Sequence, residues 1–136
     1  MKKYFIGIIV MLVVFVFLGS CKKYSPSNSI EPESERIILF QLYTSKDFTD
    51  ETSVIDFSVF VRTANKTIFD SAFISVRLNE IPDAAHKLAL EKTIRGYAGE
   101  DLAAGFRYTI HGVGNSTYID TSKAGNPFKV VDFNFQ

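Results

Sequence analysis

From Arg36 onward, apolar residues recur at every second position, in short runs separated by clusters of Gly, Pro, Asn, Asp and Ser. A period of two places alternate side chains on opposite faces of an extended chain, so such a run is stable as a half-buried β-strand and not as a helix. Ile37, Leu39, Gln41 and Tyr43 share one side of the first run, and Ile38, Phe40 and Leu42 the other, which makes this strand apolar on both faces. Ile55, Phe57, Val59 and Val61 alternate with Asp56, Ser58, Phe60 and Arg62 in the second. The third runs from Thr67 to Leu78, with Ala72, Ile74, Val76 and Leu78 expected inward and Phe73, Ser75 and Arg77 outward.

Residues 84–94 admit two readings. Asp83 could cap a helix through Ala84 and Lys92, whose residue types favour one. Leu88, Leu90, Lys92 and Ile94 also alternate, and a short strand suits the spacing of the neighbouring runs, so strand is the expectation. After a loop at Gly96–Asp101, Leu102, Ala104, Phe106, Tyr108 and Ile110 alternate again. Short strands follow at Thr117–Asp120 and Phe128–Phe135.

Turns every eight to fourteen residues or so, with no internal repeat, point to an all-β domain over 36–136: a single seven-stranded antiparallel β-sandwich of immunoglobulin or fibronectin type, with a small β-barrel as the alternative. The Cys-Trp-Cys signature of true immunoglobulin domains is absent, so the comparison concerns architecture only. About a hundred residues, drawn from a chain that is 46% apolar, can bury a self-sufficient core.

The N-terminal region reads differently. Lys2 and Lys3 precede an uninterrupted apolar run from Tyr4 to Phe17, the layout of a signal peptide. Tyr4–Leu18 spans 15 residues, short of the ~20 that a membrane-spanning helix needs. The run ends in Leu18-Gly19-Ser20-Cys21, which resembles the lipobox of bacterial lipoproteins: an aliphatic residue, two small residues, then cysteine. The resemblance implies cleavage of residues 1–20, a diacylglyceryl group on the Cys21 sulfur and, in many bacteria, acylation such as palmitate on the new amine. Several acyl chains make a stable anchor. Residues 21–35, polar and with two prolines, are expected to form a flexible tether with a reach of up to about 45 Å.

No Asp follows Cys21, and in lipoproteins an Asp there retains some members in the inner membrane. The resemblance therefore implies a lipid-anchored protein of the cell envelope, at the outer membrane, with the periplasmic and surface faces both open. The junction Leu-Gly-Ser-Cys-Lys-Lys and the Phe-rich strands are similar to small lipoproteins of Bacteroidetes, several of which carry immunoglobulin-like domains.

Charge and motifs narrow the function by exclusion. Without Lys2 and Lys3 the chain carries 13 basic and 15 acidic side chains, and the basic residues are scattered. Nucleic-acid binding, which relies on clustered Lys and Arg, is not expected. Cys21 is the only cysteine, which excludes disulfides, thiolate zinc sites and thiol catalysis from the domain. No nucleophile elbow, zinc-protease motif or phosphate loop occurs; Gly112-Val113-Gly114-Asn115-Ser116 reads as a hairpin turn. His86 and His111 have no motif around them. The acidic pairs Asp50-Glu51 and Glu100-Asp101 fall in loops, and no catalytic residue, metal or cofactor is expected.

Four features remain to be weighed. Asp70-Ser71-Ala72 resembles the acceptor motif of the Bacteroidetes O-glycosylation system, which would make Ser71 a glycan attachment point. Asn65-Lys66-Thr67 and Asn115-Ser116-Thr117 match a sequon that bacterial lipoproteins rarely use. Phe60 and Phe73, on the nominally polar faces of their strands, suggest either a second covered layer or a partner surface. Tyr97, Tyr108 and Tyr118 could stack on sugars, although the chain has no Trp. The expected role is a non-catalytic accessory or assembly module binding other envelope proteins. A glycan-binding module is the alternative, and a small hydrolase a remote third.

Overall fold

The computed structural model describes residues 34–136. The expected signal peptide 1–20, the lipobox residues Leu18, Gly19, Ser20 and Cys21, and the tether as far as residue 33 lie outside the described residues.

The described chain is all-β, with seven strands: β1 (Glu35–Thr44), β2 (Val54–Arg62), β3 (Thr67–Arg77), β4 (Leu88–Arg95), β5 (Leu102–Ile110), β6 (Gly114–Ser122) and β7 (Phe128–Phe135). A single 3₁₀ turn, Leu78–Glu80, separates β3 from the loop that leads to β4. Three strands form one sheet in the order β4-β1-β7, and four form the other in the order β3-β2-β5-β6. The inner faces share one core, built from Ile38, Phe40 and Leu42 of β1, Val131, Phe133 and Phe135 of β7, and Ile55, Phe57, Val59, Val61, Leu102, Ala104 and Phe106 of the larger sheet.

The two-faced apolar character of β1 follows from its position. It is the central strand of its sheet, hydrogen-bonded on both edges, with Ile38, Phe40 and Leu42 fully buried and Ile37 and Leu39 half-buried on the outer side. Phe133 then joins the sheets, its ring centroid 4.7 Å from Tyr118, 5.3 Å from Phe106, 5.8 Å from Tyr108 and 6.4 Å from Phe57. Each such ring pair contributes about 0.5–1.5 kcal/mol beyond the area it buries.

Four details correct the sequence-based expectation. The strands are not all antiparallel, because β1 and β7 pair in parallel, from Ile37 opposite Phe128 to Thr44 opposite Phe135. Residues so far apart in sequence show no local signal of their relative direction. The barrel is not formed: the sheets stay separate, and side chains close the flanks instead of a ladder. Lys92 lies over the Phe69 ring at 4.7 Å on one flank, and Lys129 pairs with Asp120 at 2.7 Å on the other.

The third correction lies in β3. Phe57 faces Ile74 while Ser58 faces Ala72, so Phe73 is an extra residue at a β-bulge. A bulge exchanges the faces of all residues beyond it. Ala72 is therefore exposed, and Phe73 packs edge-on against core Phe106 at 5.8 Å. The fourth is small: β1 starts at Glu35, which belongs to the strand through its pairing with Arg95.

At residues 84–94 the strand reading holds. Asp83 accepts hydrogen bonds from the N–H groups of Ala85 and His86, at 2.9 and 3.0 Å, as a helix cap would. The turn goes no further, because Leu88, Leu90 and Ile94 pair with Leu42, Phe40 and Arg36 on β1.

Arg36, only 3% exposed, is fixed at the other end of that strand. Its guanidinium donates to the carbonyls of Ser122 (3.2 Å), Tyr97 (3.0 Å) and Ala98 (3.1 Å), and so ties β1 to the β4–β5 loop and the end of β6. Replacing it by Met would remove the guanidinium from all three carbonyls, leaving Tyr97 and Ala98 only their bonds from the N–H groups of Glu100 (3.2 Å) and Gly125 (2.7 Å). Arg36→Met is expected to lower stability by about 2–3 kcal/mol in chemical denaturation. Gly105 is equally constrained, since a Cβ there would meet the Tyr118 carbonyl oxygen at 1.9 Å. Gly105→Ala must displace backbone, and a loss of about 1–3 kcal/mol is expected in the same measurement.

Candidate functional site on the outer face of the larger sheet

The cross-strand register of β2, β3 and β5 builds a lattice of polar groups on the side of the larger sheet that faces away from the core. Asp56 sits between Ser75 and Thr109, Ser58 between Ala72 and Arg107, and Phe60 between Asp70 and Gly105. Alternation sends the intervening residues, Phe57, Val59 and Val61, into the core, so the outward positions are free for polar chemistry.

At one end of this face, Asp56 gathers two partners. Its Oδ1 accepts a hydrogen bond from Ser75 Oγ at 2.5 Å, and its Oδ2 lies 2.6 Å from His111 Nε2. His111 is held there because its N–H donates to the Val54 carbonyl at 2.9 Å. The bond with His111 and then that with Ser75 hold the Asp56 carboxyl below the usual aspartate range. These are the residue types of a hydrolytic triad in a different order. In a working triad the imidazole lies between nucleophile and carboxylate. Here the carboxylate is in the middle and the Ser75 hydroxyl donates to it, so the imidazole does not accept the serine proton and Ser75 is not activated.

Toward the other end, Arg107 pairs with Asp70, and the guanidiniums of Arg107 and Arg62 lie 5.6 and 5.4 Å from the centre of the Phe60 ring. Of the open recesses that Arg107 borders, two include residues of β3. One, of about 570 Å³, is bounded by Asp56, Phe73, Ser75 and Arg107; the other, of about 220 Å³, by Phe60, Arg62, Asp70, Thr117 and Ile119. Both are shallow and face solvent.

The sequence-derived candidates distribute as follows. Phe60 is 4% exposed, beneath the two arginines, and Phe73 packs on the core, so the two do not form an exposed apolar partner surface. Ser71 is half-buried in β3 opposite Val59, its hydroxyl donating to the Ala72 carbonyl at 3.1 Å. Tyr97, Tyr108 and Tyr118 pack against the core and make no shared sugar platform, and burial raises the Tyr118 phenol above its ordinary pKa.

His86 is exposed beside Asp83, 2.8 Å away. Asp101 accepts from Lys123 and from the Ala124 N–H, which organises the loop before β7, and Asp50 and Glu51 lie exposed in the loop before β2. Gly112 and Gly114 take positive φ in the β5–β6 hairpin, as expected. Among the described residues, no three His, Cys, Asp or Glu side chains converge as metal ligands.

No family model, curated protein or solved structure matches the chain. Sequence reading missed Asp56, Ser75, Arg62 and Arg107, and the one available signal was their outward parity on β2, β3 and β5.

The lowered Asp56 pKa gives a test. A carboxylate whose folded-state pKa lies below its unfolded value stabilises the fold above that unfolded value, and the contribution is lost as pH falls through the folded pKa. Asp47, Asp83 and Asp101 are lowered in the same direction, by Thr49, His86 and Lys123 respectively. Stability is expected to fall on acidification below the ordinary aspartate value of 3.8. In His111→Ala, the Asp56 carboxyl, followed by NMR titration, should move up toward that value.

Proposed function

We propose that this chain is a lipid-anchored, non-catalytic binding module of the bacterial envelope. In this reading it is held through Cys21 at the outer membrane and engages its ligand with the outer face of the larger sheet. The observation that carries the binding part is the register-built lattice around Arg107: charged and hydroxyl groups of β2, β3 and β5 fixed by cross-strand contacts in open recesses. An open face with ordered donors and acceptors suits recognition. Catalysis would require an activated group in a sheltered pocket, and the serine here is not activated.

Among the described residues no helix is long and apolar enough to cross a membrane. The anchoring part rests on the signal-peptide layout and the lipobox resemblance at residues 18–21. The immunoglobulin or fibronectin comparison extends to the two-layer build and not to the strand partition. Immunoglobulin domains group the first, second, fourth and fifth strands in one sheet, whereas here the first, fourth and seventh are together. Ser71 as an O-glycan acceptor belongs to the same reading, with its hydroxyl on an edge strand.

A glycan ligand is the second reading, and it gains from the polar character of the face: no broad apolar area is available there as a protein anchor. Envelope proteins as partners and glycans as ligands separate in one experiment. Natively lipidated protein, cross-linked in its own membranes and purified, is expected to retain a stoichiometric companion that Cys21→Ser, which lacks the anchor, loses. Recovery of the lipidated protein alone would exclude a stable protein assembly.

A further inference from the structure

We propose that the recess over Phe60 binds a carboxylate-bearing sugar residue of an acidic glycan, with Arg62 as the group that recognises the carboxylate. The inference rests on the glycan-binding form of the reading above and assigns the ligand's charge.

Phe60 is an unusual outward residue. It is almost fully buried on a face that is otherwise polar, opposite the bare backbone of Gly105, and Ile119, 47% exposed, stands on the next strand. The two guanidiniums lie over the same ring, yet their charges are not equally compensated. Arg107 is paired with Asp70, whereas Arg62 has no carboxylate partner and no side-chain hydrogen bond among the described residues. Two positive groups and one negative group leave the recess one positive charge in excess.

A guanidinium stacked on a ring keeps its N–H edge free, and that edge fits a carboxylate in a two-point contact. Ile119, 47% exposed, offers an apolar contact for the C–H face of a sugar, and Thr67 and Thr117 line the same recess. The volume, about 220 Å³, suits a single small unit, not an extended segment of a protein. Beyond Arg107 the surface continues as a further recess lined by Ser58, Thr109, Asn115 and Thr117, a row of hydroxyl and amide groups suited to an adjoining sugar.

The test uses the full lipidated protein in detergent and oligogalacturonate, a polymer of a uronic acid, as probe in calorimetry. Saturable binding is expected. It should weaken at least about tenfold when the carboxylates are methyl-esterified, and by a similar factor in Arg62→Gln, as loss of a charge-assisted pair requires. Arg95→Gln, at an exposed arginine on the other sheet, should bind as the parent does. Absence of binding to oligogalacturonate, or equal binding by Arg62→Gln, would overturn the proposal. So would an oligoglutamate peptide that binds as tightly as the sugar and is lost in the same variant. If oligogalacturonate fails while a companion still co-purifies with the lipidated chain, the recess is ruled out and the binding-module reading stands.

Discussion

Phe133 holds the two sheets together. It comes from the smaller sheet, and three of its ring contacts, Phe57, Phe106 and Tyr108, belong to the two central strands of the larger one, with Tyr118 on the edge strand beyond. That position depends on β7 lying parallel to β1, in a register that sets Leu42 opposite Phe133. In the folded chain the aromatic core is therefore complete only with the first and last strands paired. The face opposite that core is ordered by the ladders of the strands that carry it, so Asp56, Ser75 and Arg107 are placed by the pairing of β2 with β3 and β5.

Arg36 fixes the end of the molecule where β1 begins. A buried cation without a carboxylate is costly unless its N–H groups are used, and here they are used by backbone carbonyls. The result joins three segments that the strand ladders leave separate: the start of β1, the β4–β5 loop and the end of β6. A further backbone bond, from the Gly125 N–H to the Ala98 carbonyl at 2.7 Å, closes the same corner.

Much of this fold could be read from the sequence. The alternation of Ile55 to Val61 and of Leu102 to Ile110 placed both central strands and their inner faces, and Leu88, Leu90 and Ile94 decided correctly for strand over helix. What was not legible depended on contacts distant in sequence. The parallel return of β7 and the carbonyl partners of Arg36, 61 to 86 residues away, leave no local mark. The bulge at Phe73 exchanges faces without any glycine to announce it. Phe60 could be read as either covered or partner-facing, because the rule of alternation does not count the arginine side chains of β2 and β5 that cover it. The candidate site was obscured for a related reason: Asp56, Ser75 and Arg107 are ordinary surface residues individually, and only strand register brings them together.

As a binding module, the protein would meet its ligand with the outer face of the larger sheet and not with that of the smaller one. A photo-reactive amino acid placed in living cells at exposed Thr109 on β5, or at exposed Ala89 on β4, tests it directly. The account predicts an ultraviolet-dependent adduct from position 109 and none from position 89. An adduct from position 89 with none from position 109 would contradict it and move the binding surface to the other sheet.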